Sequence, residues 1–225
     1  MRQPAVLVRF RLVLFLLSAL PICRAMPVAE NGKPVAVIVV PRHANSIEKF
    51  AGEELQRHIL LISGAKLEIA ETASATRPRL LVGRAAGSAG VSATDLPLEH
   101  YRIKTVGNAL CLVGHDHGAA GADPLELGDV QTGTLFAVYD LLDRVFGVRW
   151  LWPGELGTYV PKHATIAIPD MDVTRGPKLV QRKMRTLRGR LEEMKDFTTD
   201  GVDATTNPGV AWLQLSQTFN FNVMP

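Results

Sequence analysis

The 225-residue sequence has only two cysteines, and Cys23 stands inside the first 25 residues. Once that segment is set apart, Cys111 remains alone, so no internal disulfide framework is available. Cys111 lies in an apolar strand pattern and reads as a small buried hydrophobe rather than a reactive thiol. Several chemistry-bearing motifs are also missing. There is no Gly-x-x-x-x-Gly-Lys-Ser/Thr phosphate loop, no Gly-x-Gly-x-x-Gly after a strand, no His-Glu-x-x-His and no Cys-x-x-Cys. No apolar run reaches the ~20 residues a membrane-spanning helix needs. Acidic residues are missing from positions 1–25, which hold Arg2, Arg9, Arg11 and Arg24.

That acid-free start has the parts of a secretory signal peptide: a basic beginning, the apolar run LVLFLLSALPI at 12–22, and Ala25 before Met26-Pro27. Cleavage there places the mature chain outside the cell or in the periplasm. Cys23 raises a lipoprotein alternative, which the bulk of the preceding Ile22 disfavours. The formal net charge of +3 then changes meaning, because the remaining chain has 21 basic and 22 acidic residues. The high isoelectric point is therefore no argument for a nucleic-acid partner.

What is present is a mixture of strand and helix patterns. Residues 35–40 (VAVIVV) form a β-branched run between prolines, the pattern of a strand buried on both faces. Asn45 or Ser46 then caps a helix, with Glu48 completing a capping box after Asn45. Ile47, Phe50, Ala51, Leu55, Ile59 and Ile62 give it an apolar stripe, and Gly64 stops it. His58 beside that stripe reads as a boundary or core histidine. Short strands are expected at 66–70 and 79–82. Residues 101–106 and 109–114 flank Gly107-Asn108, a hairpin signal. A second amphipathic helix is expected over 133–146, ended by Gly147, with strands at 148–151 and 165–168. The sum is an α/β (α+β) fold, a mixed sheet with two main helices.

Composition shifts near Gly176-Pro177. Residues 26–174 carry 13 basic and 17 acidic side chains, whereas 175–225 carry 8 and 5. The domain division expected is 1–25 signal peptide, 26–174 α/β domain, and 175–225 the opening of a second domain. The basic run Arg175, Lys178, Arg182, Lys183, Arg185, Arg188 and Arg190 is interrupted by Leu179, Val180, Met184 and Leu187. Solvated strand and loop charges account for it better than a nucleic-acid patch. His115-Asp116-His117, with Asp123 and Asp129 behind it, is the one cluster of metal-capable side chains. It reads as a solvated polar loop, so no metal and no cofactor is expected. Residues 83–90 (GRAAGSAG) look superficially like a phosphate cradle, but no helix is expected behind them, because Leu96-Pro97 and another strand come next, and they read as a loop.

Three stretches together resemble a known arrangement. They are residues 51–64 (AGEELQRHILLISG), residues 133–161, with FGVRWLWPGELG at 146–157 as their core, and residues 177–182 (PKLVQR). This is similar to the N-terminal α/β domain that precedes the catalytic barrel in family 67 alpha-glucuronidases, family 20 beta-N-acetylhexosaminidases and a related group of uncharacterised bacterial secreted proteins. The middle stretch is closest to the last group, and the likeness covers residues 33–182. It implies a non-catalytic accessory domain packed against a (β/α)8 barrel. In the family 20 pattern an arginine ending the first barrel strand bonds sugar hydroxyls. Arg182 matches that position, although Lys178 and Leu179 replace the Arg-Phe of the pattern.

A (β/α)8 barrel takes ~250 residues, and only 49 follow Gly176. Glycoside hydrolysis commonly needs two carboxylates about 5–10 Å apart. Beyond the boundary the acids are Glu192, Glu193, Asp196, Asp200 and Asp203, crowded into one loop-like stretch. The expectation is therefore a fragment: an accessory domain followed by the beginning of an incomplete barrel, inactive alone and carrying no catalytic residue. Its partner is carbohydrate, engaged through the missing barrel. Arg182, Trp150 and Trp152 are the candidate sugar contacts, the tryptophans by ring stacking, with packing as their competing role. A stand-alone carbohydrate-binding or interaction module is the alternative.

Overall fold

Val37–Val39 forms strand β3, with all three side chains buried, as its β-branched run demands. The computed structural model describes residues 25–118, 131–151 and 157–177. Within them β1 (Met26–Glu30), β2 (Lys33–Pro34) and β10 (Ile166–Ile168) form a three-stranded sheet in the order β10-β1-β2. A six-stranded sheet has the order β11-β6-β7-β5-β3-β4, where β4 is Glu68–Ala70, β5 Arg79–Val82, β6 Tyr101–Val106, β7 Ala109–Gly114 and β11 Asp172–Arg175. A two-stranded ribbon pairs β8 (Arg149–Trp150) with β9 (Thr158–Tyr159).

Strands β4, β3, β5 and β7 run parallel, while β6 and β11 extend the sheet antiparallel. The mixed α/β sheet with two main helices is thus the observed architecture. Helix α1 (Ser46–Ser63) follows β3, and helix α2 (Gly133–Arg144) lies beside it. Both helices cover one face. Ile38, Leu80, Val82, Leu110 and Leu112 point into the core they share. The alternate residues Val37, Val39, Leu81, Ala109, Cys111 and Val113 face the other side, against Ala85, Ala86, Val91 and Ala93. This is the period-two alternation of strands buried on both faces.

The local signals act as their chemistry requires. Asn45 caps α1: its side chain accepts from the Glu48 N–H at 2.8 Å, while the Glu48 carboxylate accepts from the Asn45 N–H at 2.8 Å. Gly64 ends α1 in the left-handed conformation, φ 78°. The β6–β7 hairpin turns at Gly107-Asn108, with Val106 opposite Ala109. Several strands are shorter than expected, β3, β4, β8 and β10 among them, and two further differences concern helices. Residues 83–89 form a 3-10 helix rather than a loop, since small residues allow this tight winding under the sheet. Helix α2 ends at Arg144, not 146, with Gly147 at φ 73° just beyond. Residues 178–225, where a barrel start was expected, lie outside the described residues.

Candidate functional site

In a wound α/β sheet the place to look for a ligand is the carboxyl end of the parallel strands, where neighbouring connections diverge. Here that point lies between β3 and β5. The chain leaving β3 enters α1 on one face, and the chain leaving β5 enters the 3-10 helix on the other. Glu48, on the first turn of α1, fills the gap. Its carboxylate accepts the Arg84 N–H at 2.7 Å and the Arg84 Nε–H at 2.8 and 3.1 Å, besides the Asn45 N–H. Glu48 is 4% exposed, while half of the Arg84 side chain faces solvent. Gly83 makes this approach possible. Its φ is 59°, and a Cβ there would collide with the Glu48 carboxyl group.

One strand further, Gly114 at the end of β7 and Gly133 at the start of α2 meet backbone to backbone, with no space for a Cβ on Gly114. Asp116 fastens this junction by accepting from the Thr134 N–H and the Thr134 hydroxyl, both at 2.7 Å. Burial pushes the Asp116 carboxyl up to about 6 against the pull of the Thr134 bonds, and the nearby Glu48 charge adds to the rise. The solvated polar loop expected at His115-Asp116-His117 is corrected on this point: Asp116 is a partly buried helix anchor. His115 pairs through Nδ1 with the Leu96 carbonyl, and the His117 backbone bridges to Gln131. Among the described residues no three His, Cys, Asp or Glu side chains are grouped to hold a metal.

A second polar cluster lies between the helices. The Glu54 carboxylate accepts the Tyr139 hydroxyl at 2.9 Å and both Nε–H and Nη2–H of Arg57 at 2.8 and 3.0 Å. Burial raises Glu54, but the Arg57 hydrogen bonds and charge overcome it and leave the carboxyl below its usual range. His58, fully buried, bonds the Glu54 carbonyl through Nδ1 at 2.9 Å. Burial, then the Arg57 charge, depress it to about 4, so it is neutral at physiological pH.

Trp150 packs edge-on against His58 and Tyr139, with ring centroids 5.4 and 5.1 Å apart. It is 5% exposed, so its ring serves packing in this arrangement. Trp152 and Arg182, the other sugar-contact candidates, lie outside the described residues.

Sequence reasoning did not mark Asp140. It is 1% exposed on α2 and holds Arg144 at 2.6 Å and Arg175 at 2.9 Å. The nearby Tyr101 hydroxyl is pushed up strongly by burial, and the Asp140 charge adds to the rise. Arg175, counted in the basic run, is therefore tied into the α/β domain as the last residue of β11. Glu48 was legible as a cap, but not as the partner of Arg84. Only the pairing of the strands brings the two together.

No protein-family model matches the chain, and no curated protein matches it. Among solved structures, a family GH115 4-O-methyl-alpha-glucuronidase with specificity for decorated arabinogalactans shares the fold, with a TM-score of 0.54 and 14% sequence identity. The match covers 84% of this chain and 24% of that protein. The chain thus spans about a quarter of the length of this neighbour. The likeness is one of fold.

Proposed function

We propose that residues 26–174 are a non-catalytic α/β domain of an exported carbohydrate-active protein, supporting a catalytic barrel supplied by a longer polypeptide. The observation that carries this reading is the extent of the fold match: most of this chain corresponds to a minor part of a glucuronidase. The described buried and partly buried acids agree with it. Glu48, Glu54, Asp116 and Asp140 each spend their oxygens on protein donors, whereas a glycosidase pair must face a common substrate. In this reading Arg182 and Trp152 are sugar contacts, and Trp150 packs against Tyr139 and His58.

The test compares the 225-residue chain with the natural polypeptide that contains it, on aryl glycosides and plant oligosaccharides. Hydrolysis by the longer polypeptide alone is expected. Hydrolysis by the 225-residue chain, or a natural polypeptide ending at Pro225, overturns the proposal. Amino-terminal sequencing of exported protein is expected to begin at Met26.

One observation favours the alternative of a carbohydrate-binding module. Tyr159 (59% exposed) and Leu151 (66% exposed) both project from the β8–β9 ribbon, and Tyr159 sits opposite Arg149. An exposed tyrosine ring on a strand is a surface on which a sugar can stack. A glycan array probed with the full chain and with Tyr159→Ala decides it: binding lost in the variant supports this reading, and no signal from either rejects it.

A further inference from the structure

We infer that the divergence point between β3 and β5 is a preformed carboxylate receptor, and that Glu48 is its resident ligand. Three observations converge on this. First, the donors come from two separated parts of the chain, the Asn45 N–H before α1 and the Arg84 N–H and Nε–H after β5. Second, these donors converge on the two oxygens of one carboxylate that is almost wholly buried. Third, the wall is shaped for that occupant, because Gly83 adopts φ 59° and leaves the volume a Cβ would take to the Glu48 carboxyl group.

The position matters as much as the donors. Wound sheets accept ligands at this topological point, and the amino end of α1 contributes its partial positive charge there. Most of the receptor is backbone and half-buried guanidinium, supplied by elements that the rest of the fold holds in place. It should therefore persist when its occupant is removed. The tether gives Glu48 a large advantage over any free anion, since binding an attached group costs no translational entropy. The site is consequently closed to external carboxylates in the natural chain.

Truncation of Glu48 to alanine deletes a CH2–COO group, which has the size and charge of acetate. The full-length Glu48→Ala chain is expected to bind acetate or formate with millimolar affinity. In about 100 mM acetate its Tm should rise by about 4 °C over the same concentration of chloride. The unmodified chain and Glu48→Gln, which keeps the space filled, should not respond. The double variant Glu48→Ala/Arg84→Ala, which keeps the Asn45 and Arg84 N–H donors but not the guanidinium, should respond more weakly than Glu48→Ala. If Glu48→Ala does not fold in chloride, refolding from urea with and without acetate reads the same property, and recovery only with the carboxylate supports the proposal. Equal acetate responses in Glu48→Ala and the unmodified chain overturn it, and so does failure to refold in either salt.

Discussion

Replacing Asp116 by asparagine should steepen the loss of stability in acid, and replacing His58 by phenylalanine should reverse it. The two groups oppose one another. His58 is held neutral, its value lowered from 6.5 to about 4 by burial and the Arg57 charge. The unfolded chain binds the proton more readily, so this contribution is complete above pH 6.5 and is lost as pH falls toward 4. Asp116 is raised from 3.8 to about 6 by burial, with Glu48 adding to it. Its contribution is complete below pH 3.8 and is lost as pH rises toward 6.

At about 1.4 kcal/mol for each tenfold change, each interval is worth about 3 kcal/mol. That is an upper bound for Asp116, which keeps partial contact with solvent. Between about pH 4 and 6 the two contributions largely cancel in the unmodified chain. Urea unfolding across about pH 4 to 7 should give a shallow profile for that chain. Asp116→Asn should lose up to about 3 kcal/mol toward acid, and His58→Phe should gain a comparable amount. Asp143, also raised by burial, is common to all three proteins and drops out of the differences. Superimposable profiles for the three proteins would refute the reasoning.

Two glycine substitutions separate strain from collision. Gly64→Ala meets open space and should cost about 1 kcal/mol for its left-handed backbone alone, while Gly83→Ala also strikes Glu48 and should cost at least about twice as much, read as the difference in urea midpoints. Trp150→Ala should destabilise by about 3–5 kcal/mol, because the ring is buried against His58 and Tyr139. A thermal midpoint unchanged from the parent would contradict that packing. Asp140→Ala leaves Arg144 and Arg175 without their shared carboxylate. A loss of about 3 kcal/mol is expected, the low end for a broken buried pair, since both arginines keep some solvent contact. The loss should shrink when Arg175→Ala is added, as a double-mutant cycle would show.

The elements that could be read in advance are those whose cause is local. The capping box at Asn45 and Glu48 spans three residues, the β6–β7 turn needs only Gly107-Asn108, and the α1 stripe repeats within one helix. Strand β1 was not anticipated, because MPVAE has no alternation of its own and owes its place to pairing with β10. The strand content of residues 172–175 was hidden for the same reason: β11 exists through its register with β6. The tight winding of residues 83–89 also escaped prediction, since its small residues show no helical stripe and are set by the sheet above them.

Sequence alone determined the class of this protein: an α/β layer with two amphipathic helices, a closed hairpin and a break in composition near Gly176. Those properties rest on hydrogen bonds and side-chain periods that span a few residues. The tertiary structure alone decided which polar groups meet. Glu48 and Arg84 are 36 residues apart, and Glu54 and Tyr139 are 85 apart. No local rule couples such positions. Their meeting depends on strand order and helix packing, and those are set by the burial of the whole sheet between its two apolar faces.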